Sequence, residues 1–230
     1  SDWLSQVEAQ VYYNYADHVM DNYTLRPYRP SGSMSMPMDS NPDRRTMGGR
    51  SAATWVFSPQ WQLVTGLDYQ QNERRFRSGS PSMIAYTDKP RVRDARYEQL
   101  GIFTELNWKL APRHELISGL RVDRVEVKRY PSSSAAQTAA NNQRSRSLPS
   151  GFMRWEHQLL QPQATVNAGL GHAQRFPDYW GLISPSNSAA NAGNAFGWLK
   201  PEQTTQLDIG AQWSEQGLKL WSSAYAPKHT

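Results

Sequence analysis

Apolar and polar residues alternate along several stretches of this chain, and short turns join these stretches in pairs. The clearest pair is residues 55–69, WVFSPQWQLVTGLDY, where every second position from Trp61 to Tyr69 lies on one face. Alternation with a period of two residues predicts a β-strand. The turns alternate with polar loops of about 15 to 30 residues, and short turns on one side with long loops on the other are typical of an outer-membrane β-barrel.

The same pattern predicts nine strands, which lie at roughly 3–20, 46–57, 61–73, 95–109, 114–129, 147–157, 163–174, 203–213 and 218–226. The expected fold class is all-β: an antiparallel transmembrane β-barrel meander, with about nine strands of a larger barrel. Single-chain bacterial barrels have an even number of strands. The sequence also starts within a predicted strand and shows no signal peptide. We therefore expect residues 1–230 to form one domain, a part of a barrel.

Composition agrees with this prediction. The chain has 230 residues, 38% of them hydrophobic, and a mean hydropathy of −0.75. No run of about 18 apolar residues is present, as a transmembrane helix would require, whereas a barrel strand needs only every second residue to be apolar. Six tryptophans lie beside the short turns or at the chain start, as in an interfacial aromatic girdle: Trp3, Trp55, Trp61, Trp108, Trp155 and Trp213.

Arginines give the chain a net charge of +5. We interpret them as solvated loop residues, the main ones being Arg44, Arg45, Arg74, Arg75, Arg77, Arg91, Arg93 and Arg96. The predicted long loops, at 30–45, 78–94, 131–146 and 174–200, should face the outside, and the small polar residues of 131–144 predict a mobile segment. No nucleic-acid-binding motif accompanies the charge, and no catalytic motif occurs. The sequence therefore predicts neither a nucleic-acid partner nor an enzyme.

His18 and Met20 are the strongest candidate metal ligands. Counted from Trp3, the odd positions of the first strand are apolar and should face lipid, so the even positions, with His18 and Met20, should face the lumen. Imidazole and thioether groups together favour a soft metal such as Cu(I). Trp3 and His18 should be about 38 Å apart along the barrel axis, beyond an apolar band of about 25 Å. The pair is expected in the outer vestibule, although a lumen-lining histidine beside a chance methionine would give the same spacing.

The following loop carries three more thioethers, Met34, Met36 and Met38, at every second position. Pro37 favours an extended backbone, which would place the three on one side. They form a candidate copper-gathering loop, and a flexible Met- and Ser-rich loop without a function is the alternative.

Several motifs resemble the barrels of TonB-dependent outer-membrane receptors. They are residues 171–180, GHAQRFPDYW, with an "RFP" turn; 199–210, LKPEQTTQLDIG, with an "LKPE" strand start; and 119–123, GLRVD. More narrowly, residues 10–26, QVYYNYADHVMDNYTLR, the Met-rich loop and 43–50, DRRTMGGR, resemble the copper receptors of this family. The likeness spans nearly the whole chain.

This resemblance implies a 22-stranded barrel with an N-terminal plug, placed in the bacterial outer membrane, in contact with its lipid and energised by the TonB complex. It implies that His18 and Met20 hold copper together with a Cys-x-x-x-Met pair of the plug, and that no organic cofactor is needed. This chain contains no cysteine and no plug domain. A ferric-siderophore receptor fragment, for which the loop arginines would be suited, and a soluble β-rich binding or adhesion module are the alternatives.

Overall fold

The computed structural model describes residues 3–30, 36–130, 142–159, 164–178, 182, 199–215 and 217–229. Within these ranges the chain forms ten strands and a short 3₁₀ helix, Tyr86–Asp88. The strands are β1 Leu4–Asp17, β2 Met20–Asp21, β3 Asp39–Ser58, β4 Trp61–Gly79, β5 Val92–Ala111, β6 His114–Arg129, β7 Gln143–Gln158, β8 Ala164–Arg175, β9 Glu202–Glu215 and β10 Leu218–His229. The described part of the chain contains no helix long and apolar enough to cross a membrane.

All ten strands belong to one antiparallel sheet. Its order is β1-β3-β4-β5-β6-β7-β8-β9-β10, and β2 pairs with β3. β2 continues β1 in the same register, because Asp17 pairs with Asp43 and Met20 pairs with Ser40. The nine predicted strands therefore correspond to nine rows of the sheet, and the predicted all-β antiparallel meander is confirmed.

The two faces of the sheet differ in chemistry. Leu67, Ile102 and Val122 are cross-strand neighbours on one face, and each is more than half exposed. The opposite face carries Asp68 and, two strands further on, Asp123. An exposed apolar row opposite a polar row is the arrangement of a barrel wall. We call the apolar face the outer face and the polar one the inner face.

The strands reach further toward the long-loop end than the sequence predicts. β3 begins at Asp39 rather than near 46, and β4 ends at Gly79 rather than near 73. The interpretation of the arginines as solvated loop residues is wrong for seven of the eight, since only Arg91 precedes its strand. Several are paired with acids on neighbouring segments, such as Arg75 with Asp43 and Arg74 with Asp94. Such ion pairs neutralise charged side chains within the strands. The hydrophobic pattern alone assigns these residues to loops.

Aromatic rings collect at the short-turn end. Trp61 and Trp108 face each other across β4 and β5 and stack with centroids 4.5 Å apart. Further along, His114 stacks on His157 at 4.2 Å, next to Trp155. The turn between β9 and β10 contains Gly217 with φ 85°, a left-handed conformation that glycine adopts without strain. The rings lie at the end of the sheet where the sequence predicts an interfacial aromatic girdle.

A small apolar cluster lies on the inner face toward the long-loop end. Val125, Val127 and Leu148 pack there against Phe176 and Leu182 of the segment after β8. Residues 131–141 of the predicted mobile segment lie outside the described residues, and the prediction is wrong for its last residues, because β7 already begins at Gln143. The core is small for a sheet of this size, because most large apolar side chains face outward.

Candidate functional site

β1 and β2 together form the first strand row of the sheet, and we call the long-loop end of the sheet its outer end. His18 and Met20 lie at the outer end of this row, on the inner-face side. The register from Asp17↔Asp43 to Met20↔Ser40 places His18 opposite Pro42. Both side chains therefore continue the row of Gln10 and Tyr12, which pairs with inner-face positions of β3 and β4. Both are exposed, Met20 by 37%. The site is thus open to a ligand arriving from the long-loop side.

Pro42 explains why the strand is interrupted between Asp17 and Met20. The His18 N–H donates to the Pro42 carbonyl at 3.1 Å, but Pro42 has no N–H to return the bond. The side chain of Asn41 takes over this role, because its Nδ2 donates to the His18 carbonyl at 3.0 Å. The chain stays in register through the gap, so the pair of candidate ligands keeps its spacing.

Met38 joins the same row from the other side. The backbone N–H of Asn22 donates to the Met38 carbonyl at 3.3 Å, which extends the β2–β3 register by one more pair. Met38 is therefore a diagonal neighbour of Met20, a separation of about 7 Å between backbones that long side chains can bridge. Met38 is 48% exposed and Met36 is 36% exposed. Met34 lies outside the described residues.

An ionic network on the outer-face side of the sheet holds the backbone of this row in place. Arg91 donates to Asp17 at 2.6 Å, to Asp43 at 2.5 Å and to the Tyr15 hydroxyl at 3.0 Å. The hydrogen bond from Arg91 lowers the pKa of Asp17 below its usual range. Burial opposes ionisation of Asp43, yet hydrogen bonds from Arg75 and Arg91 outweigh it and lower the pKa of that carboxyl as well. Both acids are therefore charged and bound near neutral pH.

A second ionic network lies deeper, on the inner face. Arg121 donates to both carboxylate oxygens of Asp68, at 2.6 and 2.8 Å, and its Nε donates to Asp123 at 2.6 Å. Beside this network, the guanidinium carbon of Arg50 lies 4.1 Å from the centroid of the Phe103 ring. The charge of Arg121 is thus neutralised within the wall, which leaves less positive potential for an anionic ligand than the count of arginines indicates.

The described residues contain no group of three or more His, Cys, Asp or Glu side chains that could hold a metal ion. The candidate ligands instead combine one imidazole with thioethers, a set that suits a soft metal and not a hard cation. Two candidate ligands from one row of the sheet would leave part of a metal's coordination sphere open, so such a site needs ligands from elsewhere.

Comparison with known proteins decides the family. The profile of the family described as "TonB dependent receptor-like, beta-barrel" matches residues 1–226. The chain belongs to this family. Its barrels are outer-membrane proteins of Gram-negative bacteria, so the predicted location is confirmed, and its members are receptors and transporters rather than enzymes. Membership of this family excludes the alternative of a soluble β-rich binding or adhesion module.

The solved structure described as "Copper transporter OprC" is 49% identical, with a TM-score of 0.87. The alignment covers 99% of this chain and 36% of OprC, so the chain spans about a third of that protein's length. The match confirms the predicted likeness to the copper receptors. No curated protein sequence is significantly similar to this chain.

More distant structures share the fold alone. The ferric-catecholate import receptor Fiu from K12 E. coli is 12% identical with a TM-score of 0.67, over 100% of this chain and 39% of Fiu. The siderophore receptor PiuA from Acinetobacter baumannii is 16% identical with a TM-score of 0.65, over 98% of this chain and 38% of PiuA.

Sequence reasoning missed the residues that hold the site's backbone. Asn41 and Arg91 lie in segments that the hydrophobic pattern assigns to loops. The signal that could have found Asn41 is the Pro42 beside it, since a proline inside a strand leaves a carbonyl on the neighbouring strand without its partner.

Proposed function

We propose that this chain is part of the barrel wall of an outer-membrane receptor that imports copper, with His18 and Met20 as the barrel's contribution to the copper site. The observation that supports this most strongly is the shared face of the two residues at the exposed outer end of the first strand row. The 49% identity to a copper transporter over nearly the whole chain supports the choice of copper.

The chemistry of the ligands favours Cu(I) as the form that is bound. Thioether sulfur is a soft ligand that selects Cu(I), and a neutral imidazole completes such a site with little geometric demand. Met38 lies exposed next to Met20, and Met36 is exposed two residues before it. In this proposal they pass the ion on to Met20. In this proposal copper is the transported substrate, and no organic cofactor takes part.

Transport requires parts beyond these 230 residues. Family membership implies that the receptor works with TonB, and we propose that TonB reaches it through a plug domain that closes the lumen and supplies the remaining copper ligands. The barrel itself is held in outer-membrane lipid by its apolar outer face.

A ferric-siderophore receptor is the second candidate. An anionic siderophore would be attracted by positive charge on the inner face, and there the charge of Arg121 is already neutralised by Asp68 and Asp123. The structural likeness to siderophore receptors is at 12 to 16% identity and reflects the fold.

Uptake of radioactive copper by cells that carry the intact receptor tests the proposal. The wild type should accumulate copper in a TonB-dependent manner, and His18→Ala and Met20→Ala should each reduce uptake severalfold. Met83→Ala, at a loop residue that is 74% exposed, is the matched control and should transport normally. Copper uptake that is independent of both His18 and Met20 would contradict the proposed site.

A further inference from the structure

We propose that Asn41 is a positioning residue for His18: its amide replaces the backbone hydrogen bond that Pro42 cannot make, and it connects the copper ligand to loop 80–91. The inference rests on the proposed function, because it assigns a role in holding the copper site. Asn41 would not touch the metal itself.

One backbone hydrogen bond is missing between His18 and Pro42. In an antiparallel sheet, residues in a hydrogen-bonded pair exchange two N–H···O bonds. His18 and Pro42 form such a pair, but only the bond from His18 N–H to the Pro42 carbonyl exists. A proline within a central strand normally weakens the ladder at that point. Here the weak point coincides with the residue that should hold the metal.

The side chain of Asn41 supplies the replacement and makes four hydrogen bonds. Its Nδ2 donates to the His18 carbonyl at 3.0 Å and to Asp17 Oδ1 at 2.6 Å. Its Oδ1 accepts from Arg77 Nε and from Arg91 Nη2, each at 2.7 Å. Both donors and both acceptor positions of the amide are used, and the side chain is 0% exposed. This network also fixes which way the amide faces.

The network of Asn41 also connects the first strand to loop 80–91. Arg91 ends loop 80–91 and binds Asn41, Asp17 and Asp43 together. At the loop's other end, the Ser80 hydroxyl donates to the Pro37 carbonyl, between Met36 and Met38. One end of the loop is thereby attached next to His18, and the other end next to Met38. Residues that hydrogen-bond to a metal ligand without touching the metal orient that ligand, and their removal weakens metal binding.

A rescue experiment on the intact receptor separates this role from general stability. In Asn41→Ala, the His18 carbonyl loses its partner. Adding Pro42→Ala to that variant restores a backbone N–H at the position where the bond is missing, without restoring any contact to Arg77 or Arg91. Cu(I) affinity, measured by competition with a chromophoric chelator, is the first readout. Hydrogen exchange of peptides that contain His18 is the second.

We expect Asn41→Ala to weaken Cu(I) binding by about five- to tenfold, the effect of one lost hydrogen bond, and to speed exchange around His18. Pro42→Ala alone should resemble the wild type, and the double variant should recover most of the affinity and protection. Wild-type affinity in Asn41→Ala, or a double variant as weak as Asn41→Ala, would overturn the inference.

Two further variants keep the test decisive. If Asn41→Ala does not reach the membrane, Asn41→Asp replaces it, because aspartate keeps the acceptors for Arg77 and Arg91 and loses the donors to His18 and Asp17, while it adds a negative charge beside Asp17. His18→Ala tests the proposed function separately. Unchanged copper affinity in His18→Ala would remove the copper role, whereas the exchange rates would still show whether Asn41 holds the strand.

Discussion

Asp17 and Asp43 lie directly opposite each other at the outer end of β1 and β3, and one guanidinium, that of Arg91, binds both carboxylates. Like charges in directly opposed positions destabilise a sheet. The arginine of loop 80–91 converts this repulsion into an attachment point for the loop. The end of the sheet that carries His18 therefore depends on a residue that is far from it in sequence.

Arg91→Ala should loosen this end of the sheet without disturbing the rest of the barrel. The variant leaves two opposed aspartates without their shared partner, so hydrogen exchange in peptides covering 15–21 should rise while peptides of β5 and β6 stay protected. Arg113→Ala is the control, since Arg113 is an exposed arginine in the short turn at the opposite end. Equal protection of residues 15–21 in the wild type and in Arg91→Ala would show that the network does not hold the strand.

Acidification should release the loop only at low pH. The pKa values of Asp17 and Asp43 are both lowered in the folded protein, so their contribution is complete above the ordinary aspartate value of about 3.9 and is lost as the pH falls through the lower folded values. Spin labels at Met83→Cys and Met47→Cys report the distance between loop and β3. The distribution of that distance should stay constant from pH 7 to pH 5 and broaden below about pH 4. Broadening that begins near pH 6 would point to another titrating group.

Arg121→Ala should destabilise the barrel wall. The substitution leaves Asp68 and Asp123 close together without their counter-charge, and Asp123 is only 6% exposed. The expected loss is about 2 to 3 kcal/mol, between the values for exposed and fully buried pairs, measured by urea unfolding of the intact receptor in detergent. Arg175→Ala removes the exposed pair with Glu202 and should cost about 0 to 1 kcal/mol. Equal losses in the two variants would contradict this ranking.

Ile102→Arg tests the orientation of the wall. Ile102 is 65% exposed on the outer face, and it lies six residues from Trp108, or about 15 Å along the axis, near the middle of the bilayer. An arginine there should cost about 2 to 4 kcal/mol of folding stability in lipid. Met83→Arg, in the loop, should be nearly neutral. An Ile102→Arg receptor as stable as the wild type would mean that this face does not contact hydrocarbon.

The membrane-facing part of the sheet could be predicted from sequence because its chemistry is periodic. Leu67, Ile102, Leu120 and Ile209 follow the two-residue alternation, and the structure places all four on the outer face. The outer ends of β3 and β4 could not be predicted in this way, because Asp39 to Arg45 are polar on both faces. Their strand conformation depends on ion pairs with residues that are distant in sequence, such as Arg75 and Arg91.

In the candidate site, too, some residues could be predicted from the sequence and others could not. His18 and Met20 follow from strand parity, since a strand keeps its alternation even across the gap at Pro42. Asn41 and Arg91 do not follow from any local pattern, because their roles exist only once β3 and loop 80–91 meet the end of β1. The metal-binding role of His18, Met20, Met34, Met36 and Met38 stays a prediction.

Direct Cu(I) titration of the purified intact receptor is the most direct test of that role. The wild type should bind one tight equivalent, His18→Ala and Met20→Ala should each lose most of this affinity because each removes one ligand of a low-coordinate site, and Met83→Ala should bind as the wild type does. Undiminished stoichiometry and affinity in both His18→Ala and Met20→Ala would contradict the account.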